Sequence, residues 1–203
     1  MIVNGLILAA GMSTRMGDFK PLLKIGNKTM IETVVDQLLD IGVQQVTVVL
    51  GYRGEEIRQV LQSNAKRSDR IRFAYNKDYE TTQMLDSVKI GLGNMEACDW
   101  FFVVPGDMPA ISNHTYQILQ EQAEACPLKV LFPVLEGYRK HPPLVSWSCR
   151  EDILRFEGKG LRALWNQYDG RILEIPLEDK GCTIDVDNPF DYQKVCRYMV
   201  NCS

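Results

Sequence analysis

The chain has 203 residues, a formal net charge of −3, 45% hydrophobic residues and 24% charged residues. That balance suits a globular α/β domain with a full core, and argues against a disordered chain or a basic nucleic-acid-binding surface. Six scattered cysteines (Cys98, Cys126, Cys149, Cys182, Cys196 and Cys202) form no CxxC pair, so neither a zinc site nor a redox pair is expected, and the reading is a reduced, cytoplasmic protein.

Apolar runs alternate with helical patterns along the chain. Residues 2–8 read as a buried strand, and the first apolar run lacks the basic flank of a signal peptide. Residues 30–39 carry apolar side chains at a helical period, closed by Gly42. Residues 45–50 form a β-branched strand, 55–61 a short helix, 71–75 a strand and 84–92 a helix. Residues 99–104 are a strongly apolar strand ended by Pro105 and Gly106, followed by a helix at 115–125 and a strand at 130–134. Beyond 135 the pattern loosens: a strand at 144–147, a helix at 161–168, a short strand at 172–175, and a last helix to about residue 200 opened by Asn188 as cap and Pro189 as first residue. No stretch reaches the 18 or so apolar residues of a membrane span. Strand alternating with helix implies a mostly parallel sheet covered on both faces. In such sheets ligands bind beyond the carboxyl ends of the strands, which directs attention to the loops after Leu8, Leu50, Tyr75 and Val104.

Three stretches near those ends carry unusual chemistry. Ala9, Ala10 and Gly11 let the backbone approach a ligand closely, while Arg15 and Lys20 add a guanidinium and an ammonium suited to phosphate. By chemistry alone the same loop could be a surface turn with two solvated cations. Asp107, between two prolines at the end of the most apolar strand, offers a hard oxygen ligand of the kind Mg²⁺ takes, or an ordinary turn carboxylate. Asp185 and Asp187 fall on one side of an extended segment and could join Asp107 around a cation, or act as acids before a helix. Of the two histidines, His114 reads as exposed in a first helical turn, and His141 is held rigid before two prolines. Trp100 and Trp165 read as core, with Trp147 open.

The run Leu8-Ala9-Ala10-Gly11-Met12-Ser13-Thr14-Arg15-Met16-Gly17, then Lys20, resembles the LAAGxSxRMGxxK signature of MobA-like nucleotidyltransferases, in the branch that includes molybdenum cofactor cytidylyltransferase. Val49-Leu50-Gly51-Tyr52, Pro105-Gly106-Asp107-Met108-Pro109, Lys140-His141-Pro142-Pro143-Leu144 and the run 184–192 resemble four further family segments in order. The resemblance implies a three-layer α/β/α, Rossmann-like nucleotide-binding fold over one domain, 1–203, and a Mg²⁺-dependent transfer of a nucleoside monophosphate, CMP from CTP, to a phosphorylated acceptor, molybdopterin or molybdenum cofactor, with release of pyrophosphate. Arg15, Lys20 and Asp107 would be catalytic. Leu8, Ala9, Ala10, Gly11, Gly51, Asn76 and Ser87 would hold the nucleotide, His141 the acceptor, and Asp107, Asp187 and Asp185 the metal. Neither nucleic acid nor membrane is implied, and transient contact with a molybdoenzyme or its chaperone is. The sequence departs from that branch at Lys140, at Asn188, and at Thr82-Gln83-Met84-Leu85-Asp86-Ser87, which keeps the Ser but not a Gly. Other readings of the same residues are a sugar-phosphate or alcohol-phosphate nucleotidyltransferase, a glycosyltransferase using Asp185-Val186-Asp187, and a non-catalytic nucleotide-binding, cofactor-handling protein.

Overall fold

The computed structural model describes residues 1–12 and 16–201. In chain order they form β1 (Val3–Ala9), a hairpin of β2 (Lys24–Ile25) and β3 (Lys28–Thr29), α1 (Met30–Asp40), β4 (Val46–Leu50), α2 (Gly54–Gln62), α3 (Ala65–Ser68), β5 (Ile71–Tyr75) and α4 (Met84–Asn94). Then come β6 (Trp100–Pro105), α5 (Asn113–Ala123), β7 (Val130–Leu135), β8 (Tyr138–Arg139), β9 (Leu144–Ser146), α6 (Arg150–Arg155), α7 (Gly160–Asn166), β10 (Ile172–Pro176) and α8 (Pro189–Asn201).

One sheet organises the molecule, in the order β10-β7-β9-β6-β1-β4-β5, with β8 added beside β7. β1 runs parallel to both β4 and β6, and β4 to β5. The chain therefore builds outward from β1 to β5, then returns to add β6 on the other side of β1. That reversal opens a crevice at the carboxyl ends of β1 and β6, where open α/β sheets take ligands. The short strand β9 enters antiparallel to both β6 and β7, and makes the sheet mixed at that end.

The alternation within β1 shows why both faces are covered. All seven of its residues are buried. Val3, Ile7 and Ala9 face a core shared with Ile31, Val34 and Leu38 of α1 and Leu119 of α5, whereas Leu6 and Leu8 face Leu85, Val88 and Leu92 of α4 and Leu164 of α7. A period of two sends alternate side chains to opposite faces, so a strand buried on both reads as a continuous apolar run. Helix α4 lies very close to the sheet because Gly91 has no side chain. A Cβ there would sit 2.2 Å from Leu6 Cδ1 and 2.9 Å from Val49 Cγ2. α1 starts where its sequence signals it: Thr29 and Glu32 form a reciprocal capping box. α8 begins at Pro189 with Asn188 Oδ1 accepting from the backbone N–H groups of Phe190 and Asp191, as the Asn-Pro pair predicts.

The elements not foreseen are the short ones. The β2–β3 hairpin and α6 are too brief to display a period. Trp147 does not extend β9 but opens a 3₁₀ turn, half-buried and edge-on to Phe101 with ring centroids 6.1 Å apart. His114 is the second residue of α5 and exposed. No helix among the described residues is long and apolar enough to cross a membrane.

The segment that leads to Asp187 is tied down by Asp179. Its carboxylate accepts from Ser112 N (2.9 Å), Thr115 Oγ1 (2.7 Å) and Gly181 N (2.8 Å), and so braces Ser112, the N-cap of α5, while capping the start of the 3₁₀ turn 180–183. Burial would push this carboxyl up, but the donors from Ser112, Thr115 and Gly181 outweigh it and hold it below the usual carboxylate range. Its contribution is therefore present at neutral pH and is lost as pH falls through its lowered value. Asp179→Ala is expected to cost about 2 kcal/mol in urea unfolding at pH 7, with the gap to the parent closing in acid. A gap that stays constant with pH would show that the carboxylate charge is not what matters.

Candidate active site

A cavity of about 260 Å³ opens at the carboxyl edge of the sheet. Its walls are Leu8 to Gly11 from the end of β1, Lys20 and Pro21, Pro105 to Asp107 from the end of β6, and residues of the segment from Asn76 to Ser87. The crevice at the strand-order reversal is thus the place where Leu8 to Gly11, Lys20, Asn76, Ser87 and Asp107 gather.

Each wall has a local reason. The first loop packs against the turn after β4 at a distance that only glycine permits. A Cβ on Gly51 would lie 2.5 Å from Ala10 O, 2.9 Å from Ala10 Cβ and 2.9 Å from Tyr79 Cβ. Gly51 does not line the cavity; it is the spacer that lets two of its walls approach. On the floor, Gly106 N donates to Leu8 O at 2.9 Å, which ties the β6 turn to the end of β1. Asn76 is buried and fully engaged. Its Nδ2 donates to Thr82 Oγ1 (2.8 Å) and Ser87 Oγ (3.1 Å), and its Oδ1 accepts from Asp78 N (3.1 Å). Asn76 therefore shapes the segment 76–87, and Ser87, accepting from it, is left with its own O–H as a donor.

The charged centre lies at Lys20, whose side chain is 10% exposed. Its Nζ stands 2.8 Å from Asp187 Oδ1 and 3.6 Å from Asp107 Oδ2. Three residues from the first loop, the end of β6 and the start of α8 thus meet at one point. Val186 N donates to Asp107 O at 3.1 Å, and Ile184 and Val186 are buried, so the extended segment presents Asp185 and Asp187 on its other side. Burial raises the Asp107 carboxyl above its usual range, Lys20 pulls it back, and the charges of Asp185 and Asp187 add to the rise. A cation placed here would relieve that cost.

Asp185 is exposed and does not reach Lys20 in the way that Asp187 does. Among the described residues, no three His, Cys, Asp or Glu side chains converge as a metal cage. Two carboxylates on one ammonium do fit a hard divalent cation that takes its remaining oxygens from phosphate and water. His141 does not line the cavity. Burial lowers its basicity, while the backbone of Val103 and the charge of Asp185 act in the other direction, and its Nδ1 is buried without a partner among the described residues. Its lowered basicity makes it a neutral imidazole at pH 7, within reach of the charge of Asp185. Arg15, expected to fork onto a phosphate, lies outside the described residues.

Sequence reasoning passed over Tyr79 and named Gln83 and Met84 only as a departure from the family run, and all three line the cavity. The available signal was position: all three follow a strand end that the parallel-sheet rule marks.

Comparison with known proteins identifies the family and the fold. The MobA-like NTP transferase domain family matches residues 5–172. The molybdenum cofactor cytidylyltransferase of Escherichia coli K12 is 30% identical over 193 residues, covering 94% of this chain and 93% of that one. A probable molybdenum cofactor guanylyltransferase of Bacillus mycoides is 28% identical, covering 89% and 87%. Among solved structures, a nucleotidyl transferase from Methanothermobacter superposes with a TM-score of 0.83 at 20% identity, covering 100% of this chain and 99% of that one. A Mycobacterium tuberculosis H37Rv protein, Rv0371c, solved in complex with manganese, superposes at 0.72 with 18% identity, covering 97% and 98%. With the family match spanning residues 5–172 and the relative from Escherichia coli covered almost end to end, the chain belongs to the MobA-like NTP transferase family and is a nucleotidyltransferase.

Proposed function

We propose that this protein, as one nucleotidyltransferase domain over 1–203, transfers CMP from CTP to the phosphate of molybdopterin or molybdenum cofactor and releases pyrophosphate, with Mg²⁺, in the cytoplasm. The observation that carries the reading is the meeting of Lys20, Asp107 and Asp187 at the mouth of a cavity walled by the backbone of Leu8 to Gly11. Support for the acceptor and the base comes from the cytidylyltransferase relative, which matches along nearly its whole length.

The geometry of the described residues supports a division of labour, and for Arg15 the support is the sequence resemblance alone. The backbone of Ala9 to Gly11 and the Lys20 ammonium receive the triphosphate, and Arg15 adds a fork to its phosphates. Asp107 and Asp187 would hold Mg²⁺, which when bound would supply charge neutralisation for the reacting phosphates. As pyrophosphate leaves, Lys20 meets the negative charge that accumulates on it. An acceptor phosphate is already ionised at neutral pH, so the chain has no need of a general base. His141, neutral and set beside Asp185, serves the acceptor side as a hydrogen-bonding group.

The test is calorimetric titration with CTP, GTP, ATP and UTP, each with and without Mg²⁺. Tight binding of CTP that depends on Mg²⁺ is the expected result. Preference for another base would retain the transferase chemistry and redirect the acceptor, and no binding of any triphosphate would overturn the reading.

A further inference from the structure

Three loops leave the carboxyl edge of the sheet around the cavity, and each delivers one aromatic ring to the same place. Phe19, after β1, is 6% exposed. Tyr52, after β4, packs edge-on against it, with ring centroids 5.7 Å apart and planes at 81°. Tyr79, after β5, meets Tyr52 at 6.2 Å. The guanidinium of Arg53 lies 4.8 Å from the centre of the Phe19 ring. Arg53 adopts a left-handed backbone with φ of 50°, unusual for a residue other than glycine. Two 2.6 Å hydrogen bonds to Glu56 hold its fork in place.

The two ends of this row of rings both reach the site. Phe19 immediately precedes Lys20, and Pro21 fixes the backbone on the other side, so Lys20 leaves a backbone held between a buried ring and a proline. Tyr79 is part of the cavity wall. Tyr52 stands between them, does not line the cavity, and is 38% exposed, so the core does not depend on it. The edge-to-face Phe19–Tyr52 pair fixes angle as well as distance, which an aliphatic side chain of similar size does not, while Tyr52 meets Tyr79 in a tilted contact at 56°.

We propose that the Phe19–Tyr52–Tyr79 row, with Arg53 over its inner ring, is a positioning device that sets the Lys20 ammonium against the Tyr79 wall, and that Tyr52 is its central positioning residue. The inference rests on the reading of the cavity as a triphosphate site.

The experiment compares the parent protein with Tyr52→Leu and Tyr52→Phe. Amide hydrogen exchange of the nucleotide-free proteins is followed in the segments 16–23 and 77–82. Tyr52→Leu is expected to speed exchange in both segments and to leave the amides of α1 and α5 unchanged, whereas Tyr52→Phe, which keeps the ring, exchanges like the parent. Binding of CTP with Mg²⁺ is then measured by calorimetry, where Tyr52→Leu is expected to weaken it about tenfold and Tyr52→Phe less than about twofold. In a Lys20→Ala background, Tyr52→Leu should cause a much smaller further loss, because it acts through the ammonium. Unchanged exchange in either segment, failure of Tyr52→Phe to retain the parent behaviour, or full additivity with Lys20→Ala would each overturn the proposal. If the parent itself binds no triphosphate, the proposed function falls, and the exchange data alone decide whether the row of rings couples the two loops.

Discussion

Asp107→Asn removes transfer activity, by about a thousandfold or more, and leaves the protein no less stable than the parent. The two halves of this expectation have the same origin. Asp107 sits at the end of β6, half-buried, near two other carboxylates, with its carboxyl raised above the usual range chiefly by burial. A raised carboxyl means that the folded state binds the proton more tightly than the unfolded one. Stability is then greatest below the ordinary carboxylate value and declines as pH rises through the raised one, so at neutral pH the charge costs stability. Asparagine keeps the shape and removes the charge, and Lys20 keeps its shorter bond to Asp187. The variant should therefore melt at or above the parent temperature at pH 7, with the difference shrinking as pH falls. The charge retained at that cost is what a cation and a triphosphate would use. A variant that loses activity and also melts well below the parent would show that Asp107 is a structural carboxylate. A variant that keeps turnover would remove it from the chemistry.

The second large effect is remote from the cavity. Arg67 is buried, with its side chain 5% exposed, and donates to Glu32 Oε1 and Asp36 Oδ1, both at 2.6 Å. These acids lie on α1, one turn apart, and Arg67 comes from α3, so the pair of bonds pins the connection between β4 and β5 onto α1. Burial would raise Glu32, but bonds from Thr29 and Arg67 hold it below its usual range. Arg67→Met leaves Asp36 without its buried guanidinium partner and Glu32 with only its Thr29 bonds, in a site of low exposure. Lys28, 2.7 Å from Asp36, offsets only part of this. Breaking such a pair by removing one side costs about 3 kcal/mol, which lowers Tm by about 10 °C in a chain of this size. Adding Glu32→Gln and Asp36→Asn to Arg67→Met should recover much of the loss, because the penalty belongs to the unpaired charges. A loss under about 1 kcal/mol for the single variant would mean that water reaches the acids and the bridge is effectively a surface pair.

The site was legible in parts. The first loop was visible because small residues, glycines and cations follow an apolar strand, an unusual order that a ligand explains. Asp107 was visible because two prolines and a strand end surround it. The roles of Gly51 and Asn76 were not. Gly51 looked like part of a nucleotide turn, yet its need for glycine comes from Ala10 and Tyr79, on two other loops. Asn76 looked like a ligand group, yet its amide is spent on Thr82, Ser87 and Asp78. His141 reads as a site residue from its two prolines, but lies off the cavity, against the side of β6. For Gly51 and His141 the deciding neighbour is far away in the chain, and for Asn76 it lies within the next eleven residues but only the folded loop brings it into reach.

By itself the sequence determined the covered, mostly parallel sheet, because alternation and helical period encode which side of each element is buried. It also determined the start of α8, because the Asn188-Pro189 cap is local chemistry. Only the tertiary structure decided that Lys20 meets Asp187 across 167 residues, that Asp187 rather than Asp185 faces the ammonium, and that three rings from three loops form one row. The physical reason is that periodicity specifies burial but not the partner. Which loops become neighbours depends on the strand order, and that order is set by how all the buried faces pack at once.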